Sequence, residues 1–291
     1  MKRALLTVDL EDYRRQELRD HLQQPQPANP DEVTRQLDML LEAFDSAGAR
    51  ATFFTVGRLV GELPDRVWAD ITGAHHLGCH SYEHDRVRDL GPARFREDIR
   101  RARGTLEDVA GAPVLSYRAP YFSADGCDPW FGEALAEEGY TLSSSARVSS
   151  GPAGFGGTYA VPGSDGAVTE VPLPCLGFGD KRLTVIGGTY FRLLPLPAIR
   201  LLLGRAEELG FIPLVYLHPY DVDSTAEALR YPAHPRYLKR RAGDWVRRRG
   251  RRSAVSKLLA LTDTYTFGPV EGTGTNQDSG AEGTRTDTSR Q

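Results

Sequence analysis

Hydrophobic positions along the chain fall into two alternating kinds of run. "ALLTVD", near the start, is a short and largely apolar stretch that predicts a buried strand. Between Pro30 and Gly48, Val33, Leu37, Leu40, Leu41 and Phe44 recur at helical spacing. Asn29 stands there as N-cap, Pro30 as the first helical residue and Gly48 as the stop. "ATFFTV" predicts a second strand and Pro64 opens a second helix. A strand near "HHLGCH" precedes a helix from about Pro92, with Phe95, Ile99, Leu106 and Val109 on its apolar face.

The same rhythm continues through "PVLSYRAP" (strand), "DPWFGEALAEEG" (helix), "YTLSS" (strand), "LPAIRLLLGRAEELG" (helix) and "FIPLVYLHP" (strand). Residues 150–190 are rich in Gly and Pro, which predicts hairpins and loops. Repeated strand-then-helix units make this an α/β chain with a parallel sheet, open or closed into a barrel. No internal repeat interrupts the series.

After "TYTFGPV" the pattern stops. Residues 271–291 hold no aromatic and no large aliphatic residue, too little to offset the entropy of ordering, so a disordered tail is expected. The domain organisation expected is one catalytic domain over 1–270 and this tail.

Composition adds exclusions. A formal net charge of -3 argues against a general nucleic-acid binder. Three cysteines, Cys79, Cys127 and Cys175, are far apart and odd in number, which fits a reducing compartment rather than a disulfide framework. The opening "MKRALLTVDLEDY" is too short in apolar residues for a signal peptide, and no window approaches a membrane span. A cytoplasmic location is the expectation.

Polar residues with chemistry gather at the C-terminal ends of the expected strands. Asp9, Glu11 and Asp12 follow the first, and His80 and His84 sit in "CHSYEH". Arg118 and Tyr121 sit in "YRAPY", and His218 closes "LVYLHPY". In a parallel α/β protein those ends converge on one face, where active sites form. A spacing of four puts His80 and His84 on one side of a helical turn, close enough to share a metal ion with one carboxylate. His75 and His76 are equally near and read as strand-edge residues. Asp9, nearest the strand, is a buried carboxylate that needs a cation such as Arg118 to stay ionised and serve as base. His218 is a candidate general acid, and a backbone N–H near Tyr121 a candidate oxyanion donor.

"TVDLEDY", "HSYEH", "YRAPYFS" and "LVYLHPYD", in this order, resemble the motifs of the polysaccharide deacetylases, carbohydrate esterase family 4. Within it they are most similar to the branch whose first motif reads DVEDY, related to the allantoinase-like and peptidoglycan-deacetylase-like groups. The resemblance runs from about Lys2 to Val270. It implies a distorted seven-stranded (β/α) barrel and one divalent metal ion, most simply Zn2+. It further implies that Asp9 is the base, His80 and His84 are ligands, Arg118 orients the base and His218 is the acid. The implied reaction removes an N-acetyl group as acetate.

Two departures from the pattern bear on this. Leu10 stands where the commoner motif has its metal-binding aspartate, so the carboxylate ligand is Glu11 or Asp12. Strand alternation favours Glu11, whereas the shorter side chain of Asp12 loses less entropy, and Asp12 is preferred on that ground. Ser143 replaces an Asp of an Asp-Ser-Ser segment, leaving Asp221 or Asp223 as substitutes in support of His218.

The expected substrate is an N-acetylated sugar or glycan precursor, lipid- or nucleotide-linked, with Tyr13, Tyr82, Tyr121, Phe122 and Tyr220 offering faces to a sugar. A small non-sugar amide, or a degenerate barrel that binds glycan without turnover, are the alternatives. The basic segment 236–252, with Tyr237, Leu238, Trp245 and Val246 as an apolar stripe, reads as a packed terminal helix or as a peripheral contact with an anionic inner membrane face.

Overall fold

The computed structural model describes residues 1–124, 127–148, 157–178, 181–183, 186–229 and 237–270. The first half alternates as the sequence predicts, with one helix, α1, that it does not: β1 (Lys2–Leu10), α1 (Tyr13–Leu22), α2 (Pro30–Ala47), β2 (Thr52–Thr55), α3 (Asp65–Ala74), β3 (His76–Cys79), α4 (Val87–Ala110), β4 (Ser116–Tyr117), α5 (Trp130–Glu137) and β5 (Leu142–Ser143). Short strands follow: β6 (Arg147–Val148), β7 (Tyr159–Ala160), β8 (Thr169–Glu170), β9 (Leu173–Pro174), β10 (Leu176–Phe178) and β11 (Lys181–Leu183). The chain ends with α6 (Gly188–Leu193), α7 (Leu196–Glu208), β12 (Leu214–Leu217), α8 (Tyr237–Arg248), α9 (Ala254–Leu261) and β13 (Tyr265–Gly268). The expected tail, 271–291, lies outside the described residues.

One curled sheet organises the domain. Seven strands run parallel in the order β12-β1-β2-β3-β4-β5-β8, with β7 antiparallel on β8 and β13 parallel beside β1. No ladder among the described residues joins β12 to β7, so hydrogen bonds do not close the barrel there. The Gly- and Pro-rich stretch holds the hairpin β10–β11, as its composition suggests.

Strand parity separates core from site. On β1, Ala4, Leu6, Val8 and Leu10 are buried in one cluster with Val33, Leu37, Leu40 and Phe44 of α2. Each such side chain contributes roughly 1.5–3 kcal/mol on burial. The alternate residues belong to the inside of the curl. Leu5 packs there with Leu142, Leu173 and Leu214. Above it stand Thr7, Asp9 and then Glu11, so the interior grows polar toward the C-terminal edge.

Local punctuation behaves as expected with two adjustments. Asn29 precedes α2, Pro30 opens it and Gly48, at φ +56, ends it. Gly91 (φ 71) breaks α4, so the stretch that starts at Pro92 is preceded by a short helical turn from Val87. The "HSYEH" segment is not a helix. Ser81 and His84 both take left-handed backbone (φ 69 and 62), and this turn, not helical spacing, brings the two imidazoles together.

Candidate active site

Asp9 is buried at the end of β1 and meets Arg118 at 2.7 Å, Oδ1 to Nη1. Arg118 has no solvent exposure, and each of its nitrogens is spoken for. Nη1 also donates to Thr7 Oγ1 (2.9 Å), Nε to the Ser144 carbonyl (3.0 Å) and Nη2 to Ser144 Oγ (2.9 Å). The guanidinium lies over the Phe54 ring, 4.2 Å from its centre. Gly78 permits that ring position, since a Cβ there would stand 2.7 Å from Phe54. Burial alone would push the Asp9 carboxyl up. Arg118, His80 and His218 outweigh it and hold the group below its ordinary value.

Glu11, His80 and His84 offer one ligand atom each within 4.8 Å of one another, all three buried. Glu11 Oε2 lies 2.6 Å from His84 Nε2, and the imidazole centres of His80 and His84 are 4.9 Å apart. His80 Nδ1–H donates to the Arg118 carbonyl at 2.7 Å, which leaves Nε2 with the lone pair a metal needs. His84 Nδ1 is buried without such a partner. Although burial opposes ionisation of Glu11, His84 and the other imidazoles bring its carboxyl down to about 2. A carboxylate with two imidazoles is a donor set that fits a divalent ion, zinc above all.

The preference for Asp12 as the carboxylate in this set is therefore corrected. Asp12 caps α1 instead: Oδ1 accepts from the Arg15 N–H (3.0 Å) and Oδ2 from the Asn29 N–H (2.8 Å). Both oxygens are occupied by the backbone, whereas parity along β1 carries Glu11 to the side of Asp9.

His218 follows β12 on the facing wall, its Nε2 3.9 Å from Glu11 Oε1. Asp221 Oδ2 accepts from its Nδ1–H (3.2 Å) and from its backbone N–H (2.8 Å). Arg192 pairs with the other oxygen of Asp221 at 2.7 Å, both side chains without solvent exposure. Gly188 makes room for this carboxylate, because a Cβ would fall 2.4 Å from Oδ2. Burial disfavours the imidazolium, but Asp221, with Glu11 and Asp9 behind it, raises the His218 pKa on balance. Of the two substitutes considered for the support of His218, Asp221 takes the place. Asp223 instead binds Arg35 (2.9 Å) and the turn at Thr225.

These groups line a cavity of about 210 Å³ whose walls include Tyr13, Tyr121, Phe122, Tyr216, Tyr220 and Arg247. Tyr220 stacks on His218 (4.7 Å, 18°) and Tyr13 packs on Tyr220 (4.7 Å). Tyr121 has left-handed backbone (φ 56), its ring edge meets His84 at 4.7 Å and its hydroxyl donates to Asp20 at 2.9 Å. Tyr82 does not line the cavity; its ring lies under Arg101. His75 is structural, its Nδ1 accepting from the Ala51 N–H at 3.2 Å.

Sequence reasoning missed Arg192, Tyr216 and the place of Arg247 on the cavity wall. Arg247 Nη1 donates to Tyr13 Oη at 2.8 Å, and Arg251 is buried beneath Tyr220, so part of the basic segment is used inside the fold.

Comparison with known proteins agrees with this architecture. Residues 28–135 match the polysaccharide deacetylase family, and residues 145–273 match a domain of unknown function, DUF3473. The peptidoglycan-N-acetylglucosamine deacetylase of Bacillus cereus is 27% identical over 103 residues, 35% of this chain and 38% of that protein. A bifunctional xylanase/deacetylase of Pseudobutyrivibrio xylanivorans is 28% identical over 97 residues, 33% of this chain and 16% of that one. The chain spans well under half the length of these curated relatives. A Mycobacterium smegmatis structure assigned to the polysaccharide deacetylases aligns over 91% of this chain and 86% of its own, at 18% identity and a TM-score of 0.57, and shares the fold.

Over residues 28–135 the chain is similar to the polysaccharide deacetylase family. The cavity draws on both matched spans. His80, His84 and Arg118 come from the first, His218, Asp221, Arg192 and Arg247 from the second, and Asp9 and Glu11 precede both.

Proposed function

We propose that the protein is a metal-dependent hydrolase that removes N-acetyl groups from an amino sugar or glycan precursor. The observation that carries this reading is the placement of a carboxylate, Asp9, and an imidazole, His218, around the Glu11–His80–His84 donor set in one cavity. A divalent ion held by Glu11, His80 and His84 would supply polarisation of the attacking water and of the amide carbonyl.

The chain's own residues supply the proton transfers. Asp9, fixed by Arg118, accepts the proton of the water that attacks the amide carbon. His218, whose protonated form Asp221 favours, delivers a proton to the leaving nitrogen as the C–N bond breaks. Acetate and a free amine result. Tyr121 and its backbone stand at the cavity wall where an oxyanion is stabilised. Tyr13, Tyr216 and Tyr220 give the cavity aromatic faces suited to a sugar ring.

The substrate is read as an acetylated precursor on the cytoplasmic side, lipid- or nucleotide-linked. Half-exposed Trp245, with Arg249 stacked on it at 4.1 Å, and exposed Arg252 support a contact with an anionic surface. Co-sedimentation with phosphatidylserine vesicles checks this, and no binding by the intact protein removes it.

The deciding experiment pairs elemental analysis with acetate release from N-acetylglucosamine oligomers. The native chain is expected to hold about one divalent ion and release acetate. His84→Ala is expected to lose the ion, and Asp9→Asn to keep the ion and lose turnover. A native chain that binds neither zinc nor cobalt sinks the proposal.

A further inference from the structure

Glu170, on β8, has no part in the proton transfers described, yet it is a carboxylate with only 2% exposure. Such a group is costly to bury and calls for a reason. Its Oε1 accepts two backbone N–H groups, from Ser145 at 2.7 Å and Ala146 at 2.8 Å. Ser143 is its register partner on β5.

What Glu170 grips is the segment that grips Arg118. Ser144 lies between Ser143 and the two clamped amides, and it presents both its carbonyl and its hydroxyl to the Arg118 guanidinium. Ser145 Oγ adds an acceptor for the Ala119 N–H at 3.0 Å, tying the same segment to the strand end that carries Arg118. Arg118 in turn holds Asp9 Oδ1 at 2.7 Å. A continuous path of hydrogen bonds thus runs from Glu170 through 144–146 to Arg118 and ends at the base.

We infer that Glu170 is a positioning residue for Asp9: by clamping residues 145 and 146 it fixes Ser144, and through Ser144 the orientation of Arg118. This rests on the reading of Asp9 as base. It accounts for a buried carboxylate that takes no part in the proton transfers. A base that shifts by a fraction of an ångström loses alignment with its water, which falls on kcat rather than on substrate binding.

The test is a set of variants with acetate release, metal content and side-chain NMR as readouts. Glu170→Ala is expected to lower kcat roughly 10- to 100-fold with KM changed less than about twofold. Metal content stays native, since Glu11, His80 and His84 are untouched. Glu170→Gln, whose carbonyl oxygen accepts the same two N–H groups, is expected to restore kcat to within about threefold of native. Adding Glu170→Ala to Arg118→Lys is expected to cost less than about threefold more, because the path is already broken at Arg118.

Losses that multiply in that double variant overturn the inference, and so does a Glu170→Ala protein with native kcat. If Glu170→Ala fails to fold, Glu170→Gln and Glu170→Leu in the Arg118→Lys background carry the same comparison. Should the native chain release no acetate at all, the deacetylase reading falls and the Arg118 Nε–H resonance decides the positioning question separately. It is expected slow to exchange in the native and Gln forms and exchange-broadened in the Ala form; equal behaviour in all three overturns the clamp.

Discussion

Asp221 holds His218 twice, with one carboxylate oxygen 2.8 Å from its backbone nitrogen and 3.2 Å from its Nδ1. The imidazole is therefore fixed in orientation and in tautomer by one residue, and Arg192 at 2.7 Å keeps that residue ionised. Asp221→Asn removes the charge while preserving the shape. The native pKa of His218 is raised, so the protonated, acid-competent form persists to higher pH; the variant should lose its activity at lower pH than the native protein does. A pH–rate profile is expected to show the alkaline limb displaced downward and kcat reduced roughly 10- to 100-fold. An alkaline limb that does not move would contradict His218 as the acid.

Glu11 and Asp12 are adjacent and should behave oppositely. Glu11→Gln is expected to weaken divalent-ion binding by more than about 100-fold, beyond the effect typical of outer-shell changes. Asp12→Ala is expected to keep the ion and to lose about 1 kcal/mol of stability, the usual cost of a missing N-cap. Calorimetric zinc titration and urea denaturation of the two variants separate these outcomes.

Arg118 is the fully buried counter-charge of Asp9. Arg118→Ala leaves a carboxylate in the interior without its cation and is expected to cost about 3–5 kcal/mol in denaturant unfolding. Asp9→Asn, which leaves a neutral acceptor beside an arginine still bonded to Thr7 and Ser144, is expected to cost less.

Asp98 organises the turn between the two histidines, both of its oxygens accepting from the Tyr82 N–H at 3.1 Å. Burial raises its carboxyl to about 6, although these N–H groups oppose the shift. Its folded pKa lies above the unfolded value, so the folded state binds the proton more tightly. The contribution to stability is present below pH 4 and is lost as pH rises through about 6. Unfolding free energies measured between pH 4 and pH 7 should fall less steeply in Asp98→Asn than in the native protein.

Much of this was legible in the sequence because it was local. The apolar spacing of α2 and the strand-end position of Asp9, His80, Arg118 and His218 are properties of short windows, and the fold places them as those windows suggest. The choice between Glu11 and Asp12 turned on parity against side-chain entropy, and parity prevailed because β1 stays extended through Leu10. The turn at "HSYEH" could not be read, since nothing in Ser81 or His84 announces left-handed backbone. Arg192 and Glu170 were invisible for another reason. Each lies in an unremarkable run and acquires meaning only from a partner 25 or more residues away, Asp221 for one and Ser145 for the other.

The two matched spans meet between residues 135 and 145, and that seam runs through the chemistry rather than around it. Asp9 and the Glu11–His80–His84 cluster lie before it in the chain, and His218 and Asp221 lie after it. Exchange of residues 145–273 between relatives would replace His218, its Asp221–Arg192 support and the Arg247 wall in one step, while the Glu11–His80–His84 cluster passed through unaltered.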